Sequence, residues 1–242
     1  MSRRFRPFRL AIIDNAIHPE LYQPVEHWSR WLPVPFESFV AREGSFPDPS
    51  RFSHLILTGS EASILEPEPW VAEEADLVRR AVAAGLAVLG SCWGHQLIAL
   101  ALAGPEYVGR CARPEIGWIP IRILDPGGPL GQAGEQPYTF SFHFDEVRNL
   151  PGSFEVLAAS DLCPVQAMRR RGRQVWGIQC HPEVDIPTGR KFLADMLEAG
   201  FKGRDFILEA LASTPRDSGM ISRIVAAFLG GPVGEPRRGR SA

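Results

Sequence analysis

The chain has 242 residues, of which 45% are hydrophobic and 22% charged, and its formal net charge is −2. This length and composition predict one globular domain over residues 1–242, long enough to bury a sizeable core. The small net charge gives no reason to expect a nucleic-acid partner or an anionic membrane surface, and the apolar run at residues 10–13 is too short for a signal peptide or a membrane span.

Short apolar runs alternate with helical segments in the first half of the chain, a pattern typical of a parallel sheet covered by helices. The predicted strands are residues 8–14, 34–39, 54–57 and 85–89, and the predicted helices are residues 22–31, 70–84 and 97–103. Prolines within and before residues 34–39 place that strand at an edge of the sheet. Residues 61–69 are acidic and contain two prolines, so we predict a loop there.

The second half of the chain is richer in strands before it returns to helices. Its predicted strands are residues 107–110, 115–124, 138–144, 154–159, 164–169 and 174–178, and its predicted helices are residues 187–197, 205–212 and 217–229. We therefore predict an α/β fold: a flavodoxin-like, mostly parallel sheet flanked by helices, with an antiparallel extension over about residues 116–175. Residues 230–242 consist largely of Gly, Pro and Arg, which predicts a flexible tail after a core of about residues 8–229.

Residues 90–96 read Gly-Ser-Cys-Trp-Gly-His-Gln and lie between a predicted buried strand and a predicted helix. A sharp strand-to-helix turn at Cys92 would expose its side chain above the sheet, as in a hydrolase nucleophile elbow. The helix N-terminus favours a thiolate, and its N–H groups suit an oxyanion. Most free cysteines are simply buried core residues, but this turn favours a nucleophile.

A second motif, Trp-Gly-Ile-Gln-Cys-His-Pro-Glu at residues 176–183, supplies the partners that a cysteine nucleophile needs. An apolar strand ends just before His181, and Glu183 follows two residues later. A cysteine, a distant histidine and a carboxylate that orients the imidazole form the cysteine version of the catalytic triad. We therefore predict a triad of Cys92, His181 and Glu183.

These two motifs, together with His-Leu-Ile-Leu-Thr-Gly-Ser at residues 54–60, resemble the active site of the class I glutamine amidotransferases. The three motifs occur in the family's order, and the resemblance extends over about residues 8–193. The resemblance implies that Cys92 attacks the side-chain amide of glutamine, that His181 transfers the proton and that Glu183 orients His181. It also implies that the backbone N–H groups of Gly59 and Trp93 hold the oxyanion.

The same resemblance implies a binding site for the amino-acid end of the substrate, formed by Gln96 and by the backbone around Phe142, His143 and Phe144. Many ammonia-donating relatives have a glycine where this chain has Phe144. This difference, with Glu-Ile-Gly-Trp at residues 115–118, resembles stand-alone members of the family. The resemblance is thus to stand-alone members of the family that are similar to GMP-synthase-type amidotransferase domains and to γ-glutamyl peptidases.

Other histidines and cysteines carry weaker patterns. We predict that His95 is structural and that Cys180 packs in the core, because it should point to the opposite strand face from His181. His143 with Asp145 and His181 has no diagnostic metal spacing, so no metal or cofactor is expected. The remaining two cysteines, which form no CxxC pair, carry no functional pattern: Cys111 and Cys163.

Three functions remain open from the sequence. We favour glutamine hydrolysis in a cytoplasmic, reducing setting, with ammonia passed to a synthetase on a separate chain. A separate acceptor is expected because the chain contains neither a GxxxxGK[ST] phosphate loop nor a Ser-Gly-Gly-x-Asp-Ser loop. The alternatives are a γ-glutamyl peptidase or hydrolase with the same triad and a non-catalytic binding or regulatory protein of this fold. The intact triad argues against the last of these.

Overall fold

The structure, a computed structural model, describes residues 8–66, 68–125 and 128–230. Its strands are β1 Leu10–Asp14, β2 Phe36–Val40, β3 His54–Leu57, β4 Ala87–Ser91, β5 Val108–Pro120, β6 Arg122–Ile123, β7 Tyr138–Val147, β8 Phe154–Ala159, β9 Ala167–Arg170 and β10 Val175–Ile178. Its α-helices are α1 Pro24–Ser29, α2 Val71–Ala83, α3 Trp93–Leu102, α4 Ile186–Glu198, α5 Arg204–Ala212 and α6 Ile221–Gly230.

Eight of the strands form one sheet in the order β2-β1-β3-β4-β10-β9-β8-β6. The five strands from β2 to β10 are mutually parallel, whereas β9, β8 and β6 continue the sheet in antiparallel fashion. Strands β5 and β7 pair with each other in a separate two-stranded antiparallel sheet. The predicted α/β fold with a mostly parallel sheet and an antiparallel extension is therefore confirmed.

Both faces of the central parallel strands are covered, which explains why most of their residues are apolar and buried. Alternate residues of β1 face opposite sides, so that Ile13 joins one hydrophobic cluster and Ile12 the other. The first cluster contains residues of α2 and α3, among them Leu77 and Leu97. The second contains residues of α1 and α6, such as Trp28. The sheet is thus held between two layers of helices.

Strands β8 and β9 form the predicted antiparallel extension, which joins the parallel strands through β10. Strand β10 lies beside β4 and runs parallel to it, with Gly177 opposite Gly90. All four residues of β10 are buried. Because β10 lies between β4 and β9, it is a central strand whose two faces are both covered. The burial of all its residues agrees with that position.

The other predicted elements are confirmed with small shifts at their ends. Strand β2 is an edge strand, as its prolines indicate. The strands predicted at residues 107–110 and 115–124 are joined in the structure into one long strand, β5, and the short strand β6 follows it. The pairing of β5 with β7 is irregular between Arg110 and Glu115. Helix α6 continues through Gly230, one residue beyond the predicted core. The rest of the predicted tail, residues 231–242, lies outside the described residues.

None of the helices within the described residues has both the length and the apolar character needed to cross a membrane.

Candidate active site

Cys92 lies at the turn between β4 and α3, in backbone that non-glycine residues rarely adopt. Its φ is 49° and its ψ is −107°. Two glycines permit this turn: a Cβ on Gly90 would lie 2.4 Å from the backbone oxygen of Gly94, and a Cβ on Gly94 would lie 2.3 Å from that of Leu57. Such backbone strain costs about 1–3 kcal/mol and concentrates at functional sites. The turn predicted from the sequence is therefore present.

Strand β10 brings His181 to the same edge of the sheet. The Cys92 backbone N–H donates to the oxygen of Ile178 at 2.8 Å, which ties the elbow to the end of β10. The His181 N–H donates in turn to the Phe140 oxygen at 2.8 Å, on β7. The two sheets thus meet at the histidine, and both fix its backbone.

The carboxylate of Glu183 fixes the imidazole of His181. Nδ1 of His181 lies 2.9 Å from Oε1 of Glu183, and both side chains are almost completely buried. The hydroxyl of Ser91 donates to the same carboxylate oxygen at 3.3 Å, while the indole N–H of Trp31 donates to the Glu183 backbone oxygen at 3.0 Å. The ring nitrogen that faces Glu183 therefore carries a proton, and Nε2 is left for chemistry.

The charges around His181 favour its cationic form. Burial lowers the pKa of His181, but the negative charges of Cys92 and Glu183 raise it, as do hydrogen bonds from the ring to both groups, and the pKa becomes about 10. Since the ordinary value is 6.5, the imidazole holds its proton through neutral pH. The surroundings of His181 therefore favour the protonated ring.

Gly59 lies directly against the catalytic candidates, at the end of β3. A Cβ at this position would lie 2.7 Å from Cε1 of His181 and 2.7 Å from the hydroxyl oxygen of Tyr22. Only glycine avoids that collision. Trp93, the first residue of α3, follows Cys92 at the helix N-terminus. Gly59 and Trp93 thus both lie beside the predicted triad residues, and their role as oxyanion donors stays a prediction.

A pocket of about 340 Å³, including its open mouth, lies next to the cysteine. Its lining contains six of the predicted site residues: Cys92, Trp93, Gln96, Phe142, His143 and Phe144. Sγ of Cys92 is 3.7 Å from the backbone oxygen of Phe142. The structure therefore brings the predicted nucleophile and the predicted substrate-binding segments into one cavity.

The Gln96 amide is already hydrogen-bonded within the protein. Its Nε2 donates to the backbone oxygen of Asp145 at 2.7 Å and to Oε1 of Gln179 at 3.2 Å. Gln179 in turn has its Nε2 3.7 Å from Sγ of Cys92. The observed contacts of the Gln96 amide nitrogen therefore connect the nucleophile to strand β7.

The His143 side chain lies in a buried polar cluster instead of projecting into the pocket. Its Nε2 is 3.1 Å from Oε2 of Glu115, and its Nδ1 is 3.1 Å from the backbone oxygen of Asp145. Glu115 also accepts hydrogen bonds of 2.6 Å from Ser160 and from Gln166. Any substrate contact from His143 therefore involves its backbone, which agrees with the expectation for residues 142–144.

Within the described residues, the one grouping of three possible metal ligands is Glu115, His143 and Cys163, with ligand atoms within 4.8 Å of one another. These groups fit a metal poorly. Both oxygens of Glu115 already accept hydrogen bonds, and burial raises the pKa of the Cys163 thiol well above its usual value. The set also differs from the grouping of His143, Asp145 and His181 weighed from the sequence.

His95 and Cys180 are both completely buried, at 0% exposure. Burial is the main cause that lowers the pKa of His95 to about 3, so its ring is neutral. Burial likewise raises the pKa of Cys180 to about 12, and the thiol packs in a hydrophobic cluster. These environments agree with the structural roles predicted for the two residues.

Tyr22 is a neighbour of the triad that no sequence motif predicts. Its hydroxyl oxygen lies 3.4 Å from Nδ1 of His181, and the two rings meet edge to face with centroids 6.0 Å apart. Tyr22 is buried in the loop between β1 and α1. The one indication in the sequence is that this loop follows the carboxyl end of a parallel strand, the edge at which α/β proteins bind ligands.

The sequence comparisons agree with this geometry. A family model described as glutamine amidotransferase class-I matches residues 48–199. One subunit of the glutamine-hydrolysing GMP synthase of Methanothermobacter thermautotrophicus is 32% identical over 177 residues, which cover 73% of this chain and 89% of that protein. The GMP synthase of Aeropyrum pernix is 32% identical over 204 residues, 82% of this chain but 38% of its own length.

The solved structures agree in fold. A glutamine amidotransferase of Thermotoga maritima superimposes with a TM-score of 0.70 over 92% of this chain and 96% of its own, at 20% sequence identity. At that identity the likeness concerns the fold alone.

Proposed function

Because this chain belongs to the class I glutamine amidotransferase family, we propose that it hydrolyses the side-chain amide of glutamine with Cys92 as nucleophile. The observation that carries the proposal is the buried His181–Glu183 pair, with 2.9 Å between Nδ1 and Oε1, at the same edge of the sheet as a cysteine in a strained strand-to-helix turn. This arrangement supplies a thiolate, a proton donor and a fixed imidazole orientation together.

In the proposed reaction, the Cys92 thiolate attacks the amide carbon and forms a tetrahedral oxyanion. The backbone N–H groups of Gly59 and Trp93 stabilise this charge. When the carbon–nitrogen bond breaks, His181 gives its proton to the leaving nitrogen, so that ammonia departs and a glutamyl thioester remains. Water then attacks the thioester carbon and gives a proton to His181, which releases glutamate and restores the thiolate–imidazolium pair.

Ammonia is proposed to pass to a synthetase on a separate chain. The support comes from relatives whose names describe each of them as one subunit of a glutamine-hydrolysing GMP synthase. The test measures glutamate and ammonia released from glutamine, with and without candidate synthetase chains. Equal amounts of glutamate and ammonia from the chain alone, and faster glutamate release with less free ammonia when the acceptor chain and its other substrates are present, support the proposal. If glutamine is not hydrolysed either with or without the synthetase chains, the proposal is contradicted.

A γ-glutamyl peptidase is the second candidate, and Phe144 is the observation that favours it. The Phe144 ring borders the pocket where many ammonia-donating relatives have a glycine, and Phe201 packs beside it with ring centroids 6.4 Å apart. An apolar wall here suits a substrate that is larger than glutamine. The comparison that separates the two functions is kcat/KM for glutamine against kcat/KM for γ-glutamyl dipeptides.

Replacing Glu183 by glutamine should reduce activity less than replacing His181 by alanine. The amide still contacts the ring, but the charge that raises the His181 pKa is lost. Because His181 acts as an acid, kcat/KM should fall as pH rises through its pKa of about 10. In Glu183→Gln this fall of kcat/KM at alkaline pH should begin at a lower pH. Both proteins are measured with the same substrate, so that the ionisation of the substrate affects both equally. An unshifted fall of kcat/KM would contradict the role given to Glu183; Glu37→Gln, at an exposed position, is the control.

Replacing Tyr22 by phenylalanine tests whether its hydroxyl positions His181. The ring packing should survive, so the free energy of unfolding should change by only about 1 kcal/mol. We expect kcat to fall by about tenfold, because the imidazole loses one contact on its Nδ1 side, while KM stays nearly constant. Tyr138→Phe is the matched control, since that hydroxyl contacts Arg216 in an exposed position. Equal kcat in both variants would exclude a positioning role for Tyr22.

A further inference from the structure

One wall of the pocket beside Cys92 is completed by residues that lie beyond the segment matched by the family model. That segment ends at residue 199. The short connection between α4 and α5 follows it and places Phe201 and Lys202 in the lining of the same pocket as Cys92. These two residues therefore add to the wall from outside the matched family segment.

Three aromatic rings hold the wall together. The ring centroid of Phe142 lies 5.8 Å from that of Phe144 and 5.8 Å from that of Phe201. Gly203 has a φ of +84°, and a Cβ there would lie 2.8 Å from Cζ of Phe144, so the connection packs closely against the ring. The Phe142 backbone oxygen is 3.7 Å from Sγ of Cys92. The wall thus begins at the nucleophile.

Lys202 carries a positive charge at the outer end of this wall. Its Nζ lies 4.8 Å from the ring centroid of Phe144 and 5.9 Å from that of Phe201. Both distances are within the range of cation–π attraction, which favours a position of the ammonium group against this wall. No ion pair joins Lys202 to a carboxylate within residues 8–66, 68–125 and 128–230. By contrast, Lys191 pairs with Asp195 at 2.6 Å.

The acidic residues of the pocket are engaged elsewhere. Asp145 lies 3.1 Å from the guanidinium of Arg110 and accepts a hydrogen bond of 2.6 Å from Ser63. Glu61 accepts hydrogen bonds from two backbone N–H groups in the loop after β1. Within the part of the chain that the structure describes, the ammonium group of Lys202 is therefore a cation of the pocket that no protein anion neutralises.

We propose that Lys202 binds a carboxylate of the γ-glutamyl substrate while the amide carbon reaches Cys92. The inference rests on the proposed function, because it requires a γ-glutamyl group in this pocket. Two sources share this chemistry: the α-carboxylate of the glutamyl unit itself, and the carboxylate of an amino acid that leaves from a γ-glutamyl peptide. A cation on an aromatic wall suits either carboxylate, since the two ring contacts favour its position in the pocket before the anion arrives.

The test uses the two lysines of the chain, Lys202 and Lys191, as a matched pair of substitutions. Cys92 is alkylated either with a diazo-ketone analogue of glutamine, which carries the α-carboxylate, or with iodoacetamide, which carries none. If Lys202 binds the α-carboxylate, Lys202→Gln should slow labelling by the diazo-ketone about tenfold and leave the iodoacetamide rate unchanged. Lys202→Arg should restore the rate, and Lys191→Gln should match the unmodified chain.

A second arm of the test separates the two carboxylates. It compares kcat/KM for γ-glutamylglycine with kcat/KM for γ-glutamyl methylamide, which lacks the second carboxylate. A Lys202→Gln defect confined to γ-glutamylglycine assigns Lys202 to the leaving amino acid, and a defect shared with the diazo-ketone assigns it to the α-carboxylate. Unchanged rates with every reagent and substrate would overturn the inference while Cys92 still reacts. Failure of both reagents to label Cys92 would instead contradict the proposed function, and the inference with it.

Discussion

Replacing either Cys92 or His181 by alanine is expected to reduce kcat for glutamine hydrolysis by about 10⁴-fold or more. Without Cys92 no thioester forms, and without His181 the thiolate loses its cationic partner and ammonia its proton donor. Because the two groups act as a unit, the variant that lacks both should have about the same kcat as the less active of the two single variants. The measurement is glutamate release by each of the three variants.

Two control substitutions make this result specific. Cys180→Ala removes a thiol next to His181 in sequence but buried in the core, so it should lower the free energy of unfolding and retain kcat. His54→Gln changes a histidine at the opposite end of β3 from Gly59 and should also retain kcat. Losses in the two triad variants that multiply in the double variant would show that Cys92 and His181 act independently.

Gly59→Ala should produce the second-largest loss, about 10²- to 10³-fold in kcat. The added methyl group would lie 2.7 Å from both Cε1 of His181 and the Tyr22 hydroxyl, so the imidazole or the glycine turn must move. Movement of the imidazole displaces the proton donor, and movement of the turn displaces the proposed oxyanion donor. The measurement is kcat for glutamine, together with thermal unfolding to confirm that the variant is folded.

Gly152→Ala is the matched control for that substitution, because a Cβ at Gly152 meets nothing within 4 Å. It should leave kcat unchanged. If Gly59→Ala retains more than about a tenth of the activity, a side chain is tolerated at residue 59. The assignment of Gly59 as an oxyanion donor then fails.

The elbow could be predicted from sequence because its cause is local. A buried strand, small residues at Gly90 and Gly94 and a following helix leave few conformations for Cys92, and the structure has that turn. The pairing of His181 with Glu183 is also local, since the two residues are only two positions apart. Motifs with short spacing therefore predict the main features of the site.

The neighbours of those motifs could not be predicted, because they come from distant parts of the chain. Tyr22 approaches His181 across 159 residues, and Glu115 pairs with His143 across 28. No periodicity relates such residues; only the order of strands in the sheet brings them together. For the same reason the sequence does not identify β4 as the neighbour of β10, since an apolar run indicates burial but does not identify the neighbouring strand.

The most direct measurement of the proposed thioester chemistry is the mass of the protein quenched in acid during glutamine turnover, followed by peptide mapping. We predict a covalent glutamyl adduct on Cys92. The proposed chemistry is contradicted if the glutamyl group maps to Cys111, Cys163 or Cys180, or if Cys92→Ala still releases glutamate at the rate of the unmodified chain.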